Sequence, residues 1–241
     1  MLQQPHLMPD TTAIDTHTDT DASRTHRTVT AAALAGSAVL IGIGGLIAPP
    51  NDGQASGLYD AATSAPGRLT AEAVILVISS ILLVVGVIGA ARVVRGRGRR
   101  LAWAAALFGV MGALGHVAYA TFSLVTIRIV EPAPSREAAL QTLDSINSDA
   151  AIGLLVMPLI IAYGLCVLLL PIAYYRRRLV ARWVVALAGV AFALEIIAPG
   201  DILALAALKY AAAATATIAI SWRIAQLSAT EWRNPETIPQ A

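Results

Sequence analysis

Three ionisable side chains fall well inside apolar stretches of this chain: His116, Glu195 and Lys209. A charge in hydrocarbon is costly, so residues of this kind are paired or put to use. Counting 1.5 Å per residue places them roughly 3, 10 and 6 Å from the centres of their stretches, all in one half. Lys209 is the only lysine among 17 Lys and Arg residues, and an ammonium gives up its proton on burial far more readily than a guanidinium does. Glu195 is its expected partner. A tight turn at Pro199-Gly200-Asp201 would set the two segments side by side, with an axial offset of roughly 7 Å that two extended side chains cover. Asp201, on the same helix as Lys209 and about 12 Å along its axis, is too far to pair. Such a pair either locks a hairpin or, if a solute reaches it, carries a proton or an ion. Alternatively Lys209 extends its stem to the headgroups. His116 is expected to be held by a neighbouring carbonyl or hydroxyl, with Tyr119 and Thr126 as candidate partners on a similar face.

Other patterns fail on context. Gly42-Ile43-Gly44-Gly45 lies inside an apolar run with no strand before it, so it is no phosphate-binding loop. Asp15, His17, Asp19 and Asp21 alternate, but the segment lacks the glycine and closing Glu of a calcium loop. No HExxH, paired CxxC, GxSxG or Walker sequence occurs. A retinal-type Schiff base on Lys209 would need an enclosing aromatic pocket, and aromatic residues are only 5% of the chain. No metal and no cofactor is expected, and the single cysteine, Cys166, cannot form an internal disulfide.

The elements that must position these residues are set by composition. Of 241 residues, 57% are hydrophobic and 13% charged, and the mean hydropathy is +0.69. Soluble domains carry about 25% charged residues, so this chain lacks the polar surface to enclose a core in water. A soluble enzyme, a nucleic-acid-binding domain and a disulfide scaffold are excluded. The expected fold is all-α: a bundle of six transmembrane helices in three hairpins, with spans at about 30–48, 71–91, 101–126, 150–174, 179–198 and 202–224. Each is near the 20 residues that cross a bilayer core. Residues 1–27, rich in Thr and Asp without apolar periodicity, are expected as a disordered cytoplasmic tail. Residues 28–226 form the transmembrane domain and 227–241 a second cytoplasmic tail. The long polar start, with Pro49 and Pro50 where cleavage would fall, argues that span one is retained. Residues 49–70 read as coil. Residues 128–149 read as partly helical, capped by Ser135 and carrying Leu140, Leu143 and Ile146 on one face.

Basic residues set the direction, because they favour the cytoplasmic side. Arg92, Arg95, Arg97, Arg99 and Arg100 lie between spans two and three, and Arg176, Arg177, Arg178 and Arg182 between four and five. Arg24 and Arg27 precede span one, and Arg223 and Arg233 follow span six. The opposite loops hold Arg68, Arg128 and Arg136. Both termini should therefore be cytoplasmic, in the plasma membrane. Trp103, Trp183, Trp222, Tyr174 and Tyr175 fall at the same ends, where amphipathic rings prefer headgroup level. Arg95, Arg97, Arg99, Arg100, Arg176, Arg177 and Arg178 are expected to contact anionic lipid headgroups. Lipid, not nucleic acid, is the expected partner.

Similar strings open three spans running in one direction: Ala33-Leu34-Ala35-Gly36, Ala106-Leu107-Phe108-Gly109 and Ala186-Leu187-Ala188-Gly189. Either duplication or the ordinary need for small residues between membrane helices accounts for them. Ala-Leu-Ala-Gly in the first span, Leu-Ile-Ala-Pro-Pro at 46–50, Leu58-Tyr59-Asp60-Ala61-Ala62, Pro66-Gly67-Arg68 and the Arg-Gly-Arg-Gly-Arg-Arg turn carry a resemblance. In these, mostly over residues 30–110, the chain resembles uncharacterised small multi-pass membrane proteins of GC-rich actinobacteria. The resemblance implies a cytoplasmic-membrane location and supplies no activity and no functional residue. The leading expectation is a non-enzymatic membrane protein, in a structural, accessory or immunity-type role. The alternatives are a small-solute or proton-coupled transporter using Glu195, Lys209 and His116, and a membrane-embedded enzyme acting on a lipid or isoprenoid.

Overall fold

A computed structural model describes residues 12–50, 53–197 and 202–235. Among these residues the chain is helical throughout, without a strand. The long elements are α1 (Thr12–Ile47), α3 (Pro66–Val93), α4 (Arg99–Val130), α6 (Ala150–Arg176), α7 (Arg182–Ile197) and α8 (Leu203–Ala225). Three short helices complete the order: α2 (Ala55–Ser64), α5 (Arg136–Asn147) and α9 (Ala229–Arg233).

Among the described residues five helices are long and apolar enough to cross a membrane: Asp21–Ile47, α3, α4, Ile152–Arg176 and α8. The expected segment at 179–198 is occupied by α7, which has 16 described residues. At 1.5 Å each these span about 24 Å, short of a hydrocarbon core of about 30 Å. Its start is delayed to Arg182 because α6 ends in a left-handed residue, Arg178, with φ 57°. The Arg178 N–H donates to the Tyr175 carbonyl at 2.8 Å and the Leu179 N–H to the Tyr174 carbonyl at 2.9 Å. These bonds satisfy the last carbonyls of α6 and stop the helix. The Pro199-Gly200-Asp201 turn lies outside the described residues.

Helix boundaries run past the apolar blocks elsewhere too. Residues 12–27, expected as coil, continue α1, where Thr25 Oγ1 donates to the Asp21 carbonyl at 3.0 Å; residues 1–11 lie outside the described residues, as do 236–241 at the other end. Pro66 opens α3 five residues before the expected span, at a first-turn position where its missing N–H costs nothing. The segment expected as coil at 49–70 contains α2. In α5 the Ser135 hydroxyl accepts from the Ala138 N–H at 3.2 Å, and the buried face is Ala139 and Leu143, with Leu140 and Ile146 half-buried. Arg136 ties α5 to α2 through Asp60, at 3.5 Å. Together α2 and α5 cover one end of the bundle.

The long helices pack in chain order, α1 on α3, α3 on α4, α4 on α6, α6 on α7 and α7 on α8, and α8 returns onto α1 to close the ring. Small residues make this possible. A Cβ on Gly86 would lie 2.7 Å from the Leu34 Cα of α1. One on Gly112 would lie 2.7 Å from the Tyr163 Cα of α6. Close backbone approach of this kind is what small residues allow between membrane helices. Inside the ring, Leu34, Leu83, Tyr163, Cys166 and Ile220 line a crevice of about 20 Å³, room for one water.

Two aromatic and basic positions differ from the sequence reading. Trp103, Trp183, Trp222 and Tyr175 are exposed at the arginine-rich end, but Tyr174 is fully buried and its hydroxyl donates to the Ala90 carbonyl at 2.9 Å. Arg97, Arg99, Arg100, Arg176 and Arg178 are exposed and Arg95 is half-buried. Arg177 is buried instead, its Nη2 donating to the Pro235 carbonyl at 3.1 Å. The C-terminal segment covers it: Leu227 is buried, Trp232 packs on the main core, and α9 lies on α1.

Candidate functional site

The interior polar groups gather toward the end of the bundle covered by α2 and α5. Lys209 sits six residues into α8 and Glu195 two residues before the end of α7. Because the two helices follow each other in the chain and pack together, these positions meet at similar depth. Lys209 Nζ lies 3.1 Å from Glu195 Oε2. The same ammonium stands 4.5 Å from the centroid of the Tyr210 ring, a distance at which cation and ring attract. The pair is not sealed: the side chains retain 19% and 33% exposure. Beside it, Tyr163, Gly164, Phe192 and Ala213 line a hollow of about 10 Å³, at the lower limit for holding a water.

His116 is brought to the neighbourhood by a different route. Its ring packs on Tyr163 of α6, centroids 4.8 Å apart and planes tilted by 54°. Its Nδ1 is buried and meets no hydrogen-bond partner among the described residues. The expected partners do other work or face elsewhere: Thr126 Oγ1 donates to the Phe122 carbonyl at 2.9 Å, and Tyr119 packs against Ala73, Leu76 and Ala120. Tyr163 links His116 to the ion pair, since it lines the same hollow as Glu195, Lys209 and Tyr210.

A fourth ionisable residue belongs to this group. Glu72 of α3 is 4% exposed, and its Oε2 has no hydrogen-bond partner among the described residues. Adjacent glycines of α1 bring its helix and Tyr210 together, Gly44 facing Ile75 and Leu76 of α3 and Gly45 facing the Tyr210 ring. The sequence reading passed Glu72 over because it fell on the second residue of a span drawn from 71. The available signal was Pro66: once the helix starts there, Glu72 is a full turn and a half inside. It then shares a face with Leu76, Ser79, Ser80 and Leu83, all buried. Tyr210 is held in place by α1, where a Cβ on Gly45 would collide with its ring and hydroxyl.

The group thus draws one or two side chains from each of α3, α4, α6, α7 and α8. Chemically it holds two carboxylates, one ammonium, an imidazole and two phenols. No three His, Cys, Asp or Glu side chains among the described residues gather as a metal would require. Comparison of the chain with family models, with curated proteins and with solved structures finds no match.

Proposed function

We propose that this chain is a six-span integral protein of the cytoplasmic membrane, arranged as three hairpins with both termini on the cytoplasmic side, and that it acts without catalysis as a structural or accessory component. The observation that carries the non-catalytic part is the filled interior. The helix ring closes on itself, and the two hollows found among the described residues, of about 20 and 10 Å³, admit one water or less. Ligand sites in proteins are usually some 300–1,000 Å³. The topology rests on the exposed arginines and tryptophans at one end and on α7 as the remaining apolar segment between α6 and α8. A second reading, proton- or solute-coupled transport, is favoured by one observation: five helices contribute ionisable or phenolic groups to a single interior cluster.

Two measurements test this. On a Cys166→Ala background, a cysteine at Ser56 or Ser145 should react with an impermeant maleimide from outside intact cells, and one at Gln226 should react only after permeabilisation. The reverse pattern overturns the orientation. Protein reconstituted in liposomes should move no solute across the bilayer. Flux that Glu195→Gln or Lys209→Met abolishes would replace the accessory reading with transport.

A further inference from the structure

We propose that Glu72 is a proton-binding residue that exchanges with the α2/α5 side of the membrane only, so that the bundle senses acidity on that face. The argument starts from charge. The interior cluster holds two carboxylates, Glu72 and Glu195, against one ammonium, Lys209, and that ammonium is taken by Glu195 at 3.1 Å. Glu72 is left with its own charge to account for at 4% exposure. A buried carboxylate without a counterion or donors is too costly to persist.

The groups facing it supply neither. On its own helix, Arg68 lies one turn away, but its Nε and Nη2 donate to the Ile47 and Ala48 carbonyls of α1 at 2.7 and 3.2 Å. The hydroxyls of Ser79 and Ser80 donate back to the Leu76 carbonyl. On α4, Ser123 and Thr126 likewise return their protons to the carbonyls of Tyr119 and Phe122. From α1, Gly42 and Gly45 face Tyr210. On α2, Asp60 pairs with Arg136. Tyr210 of α8 and Tyr119 of α4, which packs on Ala73 and Leu76, are the phenols on this side of the bundle. Neither hollow described above is lined by Glu72. A proton needs no cavity. Loading is a simple balance: one proton adds to the carboxylate of Glu72 and the site's charge rises by one.

Exchange is one-sided because of what lies deeper. Toward the arginine-rich end the interior is Val87, Ala90, Ala102, Cys166, Ala173 and the Tyr174 hydroxyl bonded to a carbonyl. His116, Tyr163, Lys209 and Glu195 lie further in than Glu72, but beyond them the hydroxyls are spent on their own helices, Ser37 donating to the Leu34 carbonyl and Ser221 to that of Thr217. The long path to that end is thus broken, where the path to the α2/α5 end is short. Glu72 stands six residues from the start of α3, about 9 Å from the α2/α5 end.

The test uses the full chain in liposomes of fixed orientation, read by infrared difference spectroscopy of the protonated carboxylic acid carbonyl band. That band should appear as the α2/α5 side is acidified, vanish in Glu72→Gln, survive in Glu195→Gln, and ignore the pH on the arginine side. In parallel, dicyclohexylcarbodiimide, which reacts with protonated carboxyls in apolar surroundings, should label Glu72 of the unmutated protein, with labelling lost as pH rises. A band that persists in Glu72→Gln, a response to pH on the arginine side, suppression of the band by sodium, or labelling of Glu195 in place of Glu72 would each overturn the proposal. Because both readouts are assigned to a side of the bundle rather than of the cell, a reversed topology would leave them intact.

Discussion

The two halves of the helix ring solve the problem of an apolar solvent differently. Toward the arginine-rich end the interior is close-packed and, apart from Arg177, uncharged: Val87, Ala90, Ala102, Ala173 and Tyr174 have no exposure at all, and glycines let α1 approach α3, Gly86 against the Leu34 backbone and Gly89 against the Thr30 side chain. Toward the α2/α5 end the interior carries Glu72, His116, Glu195 and Lys209, and the surrounding helices are open. Leu154, Leu155, Ile196, Ile197 and Leu203 are between 67% and 79% exposed. The lesson is that polar satisfaction and close packing are spent in different places. One half fixes the ring by shape, where small residues and dispersion decide the geometry. The other fixes it by pairing Lys209 with Glu195, and there apolar side chains are left exposed.

If this division is right, shape changes in the close-packed half should cost most. Gly86→Val must push a branched side chain against the Leu34 backbone in that half, and Gly112→Val against that of Tyr163 at its border with the charged half. Backbone cannot rotate away, so each should cost about 1–3 kcal/mol or more in overpacking. Gly189→Val should cost little beyond helix propensity, since nothing lies within 4 Å of its Cβ position. Thermal unfolding in detergent compares the three. Equal losses would show that glycine spacing does not hold the ring.

The same contrast shows what sequence could and could not convey. Gly36, Gly109 and Gly189 occupy matching strings, yet a Cβ would meet Leu82 at 3.4 Å, Val87 at 2.9 Å and nothing, respectively. Leu34 is buried and Leu107 exposed at the same string position. Depth along a span is legible, because each residue advances the helix by a fixed rise; hence Glu195 and Lys209 could be matched across neighbouring helices. Rotation about the helix axis is not legible where the helix is apolar all round, since no polar face marks the outside. That is why the contact of His116 with Tyr163, on another helix, was invisible, and its neighbours at i+3 and i+10 were the wrong place to look. Glu72 was lost to a boundary error of five residues.

The charged half should show a smaller, specific coupling. Lys209→Met and Glu195→Gln each break the 3.1 Å pair from one side. A fully buried pair broken so costs about 3–5 kcal/mol. Here partial exposure lets the survivor reach water, and interhelical polar pairs in membranes are worth about 0.6–1.7 kcal/mol. The double mutant should recover part of the two single losses, a coupling of about 1 kcal/mol. Strict additivity would mean that the two side chains hold α7 to α8 independently.

The smallest effect belongs to the arginine-rich end, where α9 covers the close-packed half. Its first turn is a capping box: the Glu231 N–H donates to the Ser228 hydroxyl at 3.1 Å, and the Ser228 N–H donates to the Glu231 carboxylate at 2.7 Å. The backbone N–H of Ser228 and then its hydroxyl hold the Glu231 carboxyl below the usual carboxylate range, with Arg223 and Arg27 adding to this more weakly. A depressed folded value means that the folded state prefers the ionised form. Its contribution is therefore complete above the unfolded value of about 4.3 and disappears as pH falls through the lower folded value. Glu231 is solvent-exposed enough that the worth is set by the cap, about 0.5 kcal/mol at the low end of such motifs. Hydrogen exchange at the Trp232 amide should quicken, after correction for the intrinsic rate, as pH falls through that window, and Glu231→Gln should remove the pH dependence while leaving the amides of α3 untouched. If acid instead loosens α3 and α9 together in both proteins, the covering helix is part of the ring's own cooperative unit rather than a separate lid on its close-packed half.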